Sequence, residues 1–507
     1  MSIYQKLGFT KDPFAYTNAD EEENLESYFV PPPYYDAIKG DYNSPKSHIV
    51  LAPRGSGKTA QRRMIEIWSK DKPILCITYD RFELGSSQNL DDITLNYHLK
   101  NIIQRTLLNL VLWIAEYPDT INNFTNDEKK NLSILCHNYL GEISGAKVNE
   151  VLNDIKSVTE KIKKFWNENI GVLDSLLSFI LKKYDLPELD LPELKQEEKK
   201  LSQSYKYQME LIFELAQKLS FKSIYILIDK VDETHLTTNS SQATFKLIEP
   251  LIKDLETHGI KGYAFKYFLW DKVYDYLLKS GRPDRITINS LIWSRERLLE
   301  MLSRRLLAFS EDQISSLESI FLNSNEIPAD DAVTILAWRS PRNVIRICQE
   351  LIAEQTLINA NVNKLDNRVL DRASLKISEK ICEEIYGQDA VTEIKKIDRE
   401  LFSISHLATN IYKVSNNAIR PRVTSWIDKG FLFMVGGDKS SATKPTNIYY
   451  VGDPRANRLI NSKKILTNWL TNSWSCCSHC DSDILLDKGY VNSDIELECW
   501  SCKRPMP

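Results

Sequence analysis

The chain of 507 residues carries 65 Lys and Arg against 69 Asp and Glu, a formal net charge of −4, with 42% hydrophobic and 26% charged residues. That is the balance of an ordinary globular protein of several domains at roughly 150 residues each, and it excludes a protein that coats nucleic acid by bulk charge. No apolar run approaches the roughly 20 residues of a membrane-spanning helix, Met1 to Pro13 hold no apolar signal core, and the expected location is the cytoplasm.

Residues 1–47 are expected to form an N-terminal strap. The stretch His48-Ile-Val-Leu-Ala-Pro-Arg-Gly-Ser-Gly-Lys-Thr-Ala60 then reads as strand, loop and helix. The apolar run ends at Ala52, where loops of this kind usually have glycine. Arg54, Gly55, Ser56 and Gly57 form the loop, and Lys58, Thr59 and Ala60 open the helix. Loop amides and a helix N-terminus aim partial positive charge at phosphates. Lys58 is placed for the β- and γ-phosphates of ATP, and the Thr59 hydroxyl for Mg²⁺. Ala60, Met64, Ile67 and Trp68 recur at helical spacing and are expected to face a sheet.

Pro73-Ile-Leu-Cys-Ile-Thr-Tyr-Asp80 reads as a second core strand. A span far longer than an ordinary crossover follows, and residues 85–215 read as a helical insertion. Within it, Leu99 to Tyr117, Asp127 to Leu140 and Val148 to Lys183 carry apolar residues at helical spacing. Leu186-Pro-Glu-Leu-Asp-Leu-Pro-Glu-Leu194 reads as a prolyl linker, and Gln196 to Phe221 as a charged helix returning to the core. A structural brace and a holder of partner, target or subunit fit this insertion equally.

Ser223-Ile-Tyr-Ile-Leu-Ile-Asp229-Lys-Val-Asp232-Glu233 is an apolar strand that ends in acid. Alone it reads as a buried strand with a polar turn; beside the phosphate loop it supplies the carboxylates that Mg²⁺ and an attacking water require. Asp229 is assigned to Mg²⁺, and either Asp232 or Glu233 to the water as general base. Residues 48–84 and 216–309 make up the expected core.

Acid, one residue, apolar, acid, acid after a buried strand resembles the STAND and NACHT-type branch of AAA+-related P-loop ATPases. Lys230 stands where that family usually has a small residue, and the resemblance implies slow, switch-like turnover. In the lids of AAA+ proteins an arginine at a helix start reaches the γ-phosphate. Ser340-Pro-Arg342-Asn-Val-Ile-Arg346 looks like that position, so the role carries to Arg342, with a surface ion pair as the plain alternative. In Gly281-Arg-Pro-Asp-Arg285, Arg282 or Arg285 is the lesser candidate for an arginine acting across a subunit boundary. The strand near Tyr263 to Leu269 should carry a further sensor, yet no Asn, Ser or Thr ends it. Leu7-Gly-Phe-Thr-Lys-Asp-Pro13-Phe14 and Tyr28-Phe-Val-Pro-Pro-Pro33 are similar to the opening of bacterial P-loop ATPases from transposition, secretion and defence operons. There the Pro-Phe segment packs near the adenine; a simple strap over the core explains it as well.

Residues 310–372 are expected to form a helical lid and 373–460 a further module. In that module Ile394 to Tyr412 and Asn417 to Ile427 read as helices, and Gly430 to Val435 and Asn447 to Val451 as strands joined by a loop through Pro445. Two helices followed by a two-stranded wing look like a winged helix-turn-helix. Lys413, Arg420, Arg422, Lys429, Lys439, Lys444, Arg455 and Arg458 outnumber Asp428, Asp438 and Asp453 there. A local basic excess is the footprint of a double-stranded DNA face; internal packing is the alternative.

Of nine cysteines, Cys76, Cys136, Cys348 and Cys382 are scattered as core thiols, while Cys476, Cys477, Cys480, Cys499 and Cys502 crowd the C-terminus. After a linker at 461–475, residues 476–507 read as a zinc ribbon. Cys477-Ser-His-Cys480 and Cys499-Trp-Ser-Cys502 give two CxxC turns, a closed tetrahedral shell for structural Zn²⁺. Cys476 is an alternative to Cys477.

The fold class is therefore α/β: a P-loop NTPase core with a parallel sheet, helical insertion, helical lid, winged helix and zinc ribbon. The function that follows is an ATP-binding, slowly hydrolysing switch or remodeller, expected to self-assemble and to act on double-stranded DNA or a protein partner, with no membrane. Family analogy alone adds bacterial genome defence or mobile-element control. The alternative is a nucleotide-gated scaffold that activates a separate effector protein. The seven histidines form no nuclease or protease constellation.

Overall fold

The apolar runs that flank the Gly-Lys-Thr and Asp229 motifs meet in one sheet. In the computed structural model the described residues are 1–82, 84, 89–140, 204–280, 285–438, 446–487 and 495–506. They form two units, Pro31–Leu291 and Met1–Val30 with Ile292–Pro507. The expected helix at Val148 to Lys183, the prolyl linker at 186–194, Arg282, Lys439 and Lys444 lie outside the described residues.

In Pro31–Leu291 the strands are β1 (His48–Ala52), β2 (Ile74–Tyr79), β3 (Ser223–Ile228), β4 (Tyr263–Trp270) and β5 (Thr287–Ser290). All pair in parallel in the order β2-β3-β4-β1-β5. β1, β3 and β4 are buried along nearly their whole length, which is why they read as unbroken apolar runs rather than alternating ones. β4 separates the two strands that carry the motifs. Near its start, Gly262 turns with φ +83, and a Cβ there would strike the Phe213 ring at 2.1 Å. Mid-strand, the buried Lys266 amine donates to the Lys46 carbonyl at 2.6 Å and lies 4.9 Å from the centre of the Tyr225 ring.

The helices of this unit are α1 (Lys58–Ser69), α2 (Leu95–Glu116), α3 (Asn126–Leu140), α4 (Tyr205–Lys218) and α5 (Ser241–Lys253). Ile102 and Leu107 of α2, Leu135 of α3 and Ile212 of α4 share one core with Ile77, Ile226 and Phe265 of the sheet. Those parts of the 85–215 span are thus a layer of the core and not an appended module. His98 of α2 fixes the contact: its ring bridges the Tyr79 hydroxyl at 2.9 Å and the Leu247 carbonyl at 2.8 Å. On α1 the buried face is Lys58, Gln61, Arg62, Ile65 and Ser69, one step round from the expected Ala60, Met64, Ile67 and Trp68 stripe, which is half-buried. Apolar periodicity misses this face because most of it is polar.

In the other unit, α6 (Arg295–Ala308), α7 (Ala329–Ala337), α8 (Pro341–Ile358) and α9 (Arg368–Tyr386) pack together. Two expected boundaries move. α6 joins the lid helices and not the core ending at 309, and α9 runs through the 372/373 boundary. The strap divides as well, with residues 1–30 built into this unit. Buried Arg305 of α6 bonds the Pro13 carbonyl and the Glu22 carboxylate, and the Tyr28 hydroxyl donates to Glu22 at 2.6 Å.

The remainder follows as β6 (Leu401–Ser403), a helical stretch at 404–412, α10 (Asn416–Lys429), β7 (Leu432–Asp438), β8 (Thr446–Val451), α11 (Pro454–Ile460), α12 (Leu466–Ser473), β9 (Trp474–Cys476), β10 (Asp483–Leu485) and β11 (Ile495–Leu497). Ile394 to Tyr412 is not one helix. β6 interrupts it, because Leu401 and Phe402 enter different cores from opposite faces of the strand. Residues 461–475 are not a linker: α12 buries Leu466, Trp469 and Leu470. One antiparallel sheet has the order β11-β7-β8-β6, and β9 pairs with β10.

Candidate functional site

The phosphate-type loop lies at the carboxyl end of the parallel sheet, the end at which open α/β sheets hold ligands. Ala52 closes β1. Gly55 and Gly57 both adopt positive φ, +78 and +87, and Gly57 caps α1 in the left-handed conformation that a side chain disfavours. Ser56 is buried and its amide donates to the Pro53 carbonyl at 3.3 Å, while Ala60 is half-buried in the first turn of α1. The Lys58 amine donates to the Ala52 carbonyl at 3.1 Å and the Pro53 carbonyl at 3.4 Å. Burial lowers its pKa, against the opposing pull of Asp232, Asp229, Asp271 and Glu233. Two strand ends, those of β3 and β4, thus bring acids to the lysine that follows β1.

Thr59 and Asp229 meet across the loop and β3. The Thr59 hydroxyl donates to Oδ2 of Asp229 at 2.8 Å, which places a hydroxyl and a carboxylate side by side, as a Mg²⁺ site with retained waters requires. Lys230 follows in the left-handed region at φ +57; its amide donates to Oδ1 of Asp229 at 2.9 Å, and its amine pairs with Asp80 at 3.4 Å. The Asp229 Oδ2 also accepts from Nε of Arg62 at 3.1 Å. Sequence reasoning passed over Arg62, although it stands three residues after Thr59 on the same helical face.

Asp232 and Glu233 separate. Buried Asp232 is bonded by Arg54 of the loop, whose guanidinium sits 4.5 Å from the centre of the Trp270 ring; Glu233 is exposed. Arg54 therefore reaches the second acid and not open space. Asp271 was also missed. It directly follows β4, at the strand end where no Asn, Ser or Thr was found, and burial raises its pKa against the pull of Lys58.

No family model matches this chain and no curated protein matches it. Among solved structures it is similar to the ORC2 protein of Aeropyrum pernix, solved with ADPNP and ADP, at TM-score 0.35 and 10% identity over 90% of this chain and 99% of that one. The ADP form of the same protein gives TM-score 0.33 at 10% identity over 91% of this chain and 99% of that one. The RuvB Holliday junction branch migration motor of Thermotoga maritima gives TM-score 0.27 at 11% identity over 83% and 93%. Likeness at this level says nothing of substrate or partner.

The second site is the cysteine cluster. The sulfurs of Cys477, Cys480, Cys499 and Cys502 all lie within 4.8 Å of one another. Cys477 and Cys502 are 3.8 Å apart, and Cys480 and Cys499 3.7 Å. A regular tetrahedron with Zn–S bonds of about 2.3 Å has edges of about 3.8 Å, so the donor set fits Zn²⁺. Both turns are made alike: the amides of Asp481 and Lys503 donate to the Cys477 and Cys499 carbonyls at 3.0 Å, with φ +53 and +59. Exposed Cys476 lies outside the cluster, its sulfur 3.9 Å from Asp483. The cluster has no core of its own. Cys477, Cys499, Ile484 and Leu497 pack with Val435, Ile448 and Tyr450 of the wing sheet.

Other residues fall elsewhere. Arg342 is exposed in the first turn of α8, after the Ser340 cap, and forms no ion pair among the described residues. The expected basic face is smaller than the count suggested. Arg455 is buried against Asp453 at 2.7 Å, and Arg458 is buried against Asp371 at 2.7 Å. Lys429 donates to the Tyr386 carbonyl and Arg422 pairs with Glu393. Lys413 and Arg420 are exposed. No helix among the described residues is long and apolar enough to cross a membrane.

Proposed function

We propose that this chain is an ATP- and Mg²⁺-binding switch with slow hydrolysis, carrying a structural Zn²⁺ on Cys477, Cys480, Cys499 and Cys502. The observation that carries the nucleotide reading is the Thr59–Asp229 contact beside Lys58. In this reading the loop amides of Arg54 to Ala60 cradle the phosphates, Lys58 neutralises them, and Thr59 and Asp229 hold the metal, directly and through water. Asp232, or Glu233, orients the attacking water, and Arg342 senses the γ-phosphate. Slow turnover is favoured because Asp232, the buried one of the two acids, is engaged by Arg54.

The order helix, β6, helix, α10, β7, β8 supports a winged helix, with α10 and its exposed Arg420 as the face toward double-stranded DNA. A nucleotide-gated scaffold that self-assembles and activates an effector protein is the second reading. It is favoured by the burial of Arg455 and Arg458, which removes two cations from that face. ATP binding and hydrolysis should be measured with and without double-stranded DNA, with Lys58→Ala as the blank. ATP binding by Lys58→Ala equal to wild type would refute the site. Stimulation by DNA supports the remodeller, and indifference to DNA supports the scaffold.

A further inference from the structure

Oδ2 of Asp229 already receives two donors, the Thr59 hydroxyl at 2.8 Å and Nε of Arg62 at 3.1 Å, and Oδ1 receives the Lys230 amide at 2.9 Å. A carboxylate offers about four acceptor directions in all, so a metal-bound water finds Oδ2 full. The Arg62 and Asp229 side chains are 4% and 1% exposed, and a charge so buried is costly without a partner. Arg62 also has a second acid. Its Nη1 donates to Glu66 one turn further along α1, and the Thr78 hydroxyl of β2 donates to the same Glu66 oxygen. The guanidinium is thus held between two carboxylates, one in the nucleotide site and one outside it.

We propose that Arg62 is a built-in stand-in for Mg²⁺. It neutralises Asp229 while the site holds no divalent ion and gives way toward Glu66 when Mg²⁺ arrives with nucleotide. This rests on the nucleotide-site reading above. Mg²⁺ and a guanidinium a few ångströms apart repel each other strongly in a buried site, so the two compete for Asp229. Arg62 therefore sets how much Mg²⁺ the site demands, and it acts through Asp229 without touching nucleotide.

The test uses the full chain. A fluorescent ATP analogue is bound in EDTA, then Mg²⁺ is titrated and its half-saturating concentration read. Arg62→Gln should lower that concentration about tenfold or more relative to wild type, equivalent to about 1.4 kcal/mol, with a smaller change in metal-free nucleotide affinity. Arg62→Lys, which keeps the charge but loses the fork, should fall between. An unchanged or raised Mg²⁺ half-point in a folded Arg62→Gln protein overturns the proposal. Should that variant not fold, Glu66→Gln decides: it removes the second seat and must raise the half-point, and no change overturns the proposal. If wild type binds no nucleotide at all, the nucleotide-site reading fails first and the proposal with it.

Discussion

Nε of Arg54 donates to Oδ2 of Asp232 at 2.8 Å, and the same guanidinium donates to the Asp232 backbone oxygen at 2.8 Å. A loop residue assigned to phosphate and an acid assigned to water thus hold each other. Arg54→Ala leaves a buried carboxylate without its cation and should cost about 1–3 kcal/mol of stability. Asp232→Asn should cost less, because the arginine side chain is 37% exposed. The double variant should recover part of the loss. A urea-denaturation cycle measures the coupling, and a coupling of zero would mean that the pair does not form in solution.

Lys266 makes stability depend on pH. Burial pulls its amine down from 10.5 to about 7. Between those values the unfolded chain binds a proton that the folded chain does not, so stability rises with pH, by at most about 1.4 kcal/mol per pH unit. Below about 7 the cost of the buried amine is fully felt. Lys266→Met removes this slope. Its stability relative to wild type, from urea unfolding, should be most favourable near pH 6.5 and shrink steadily toward pH 10; a difference independent of pH would show that Lys266 does not titrate in this way.

The cysteine geometry separates neighbours. Wild type and Cys476→Ser should each carry one zinc per chain by elemental analysis, while Cys477→Ser and Cys499→Ser should lose it and melt at lower temperature. Removal of zinc from wild type by a chelator should lower the melting temperature in the same way, since a ribbon this small owes its fold to the metal. Loss of zinc from Cys476→Ser would reverse the assignment.

Gly436 of β7 lies where β11 crosses. A Cβ there would stand 1.9 Å from the Glu496 carbonyl, at φ +151. Gly436→Ala should therefore push β11 from the sheet, speed zinc release to a chelator and destabilise the protein by about 1–3 kcal/mol. Gly430→Ala, with open space around it, bears only backbone strain and should leave zinc release unchanged.

The phosphate loop and the acid strand were legible because each is a local pattern with its own geometry: glycines at positive φ, a buried run, an acid at its end. Arg62 was not, since its partner Asp229 is 167 residues away and apolar periodicity ignores a paired charge. Charge counting misread Arg455 and Arg458, which are buried because Asp453 and Asp371 receive them. β6 is three residues long, too short to announce itself inside a helical stretch. α12 did leave a trace, with Leu466, Trp469 and Leu470 at helical spacing, but its small size let it pass as a connection.

The antiparallel pairing of β11 with Gly436, Gly437 and Asp438 gives the zinc proposed here a duty in the order of folding. β11 lies between the two cysteine turns, so it is presented to β7 when those turns close. Before then β7 is an open edge, its amides and carbonyls available to a strand of another chain. Metal supply would decide whether that edge is sealed from within or left to pair with a stranger, so a shortage of zinc would be felt first as aggregation.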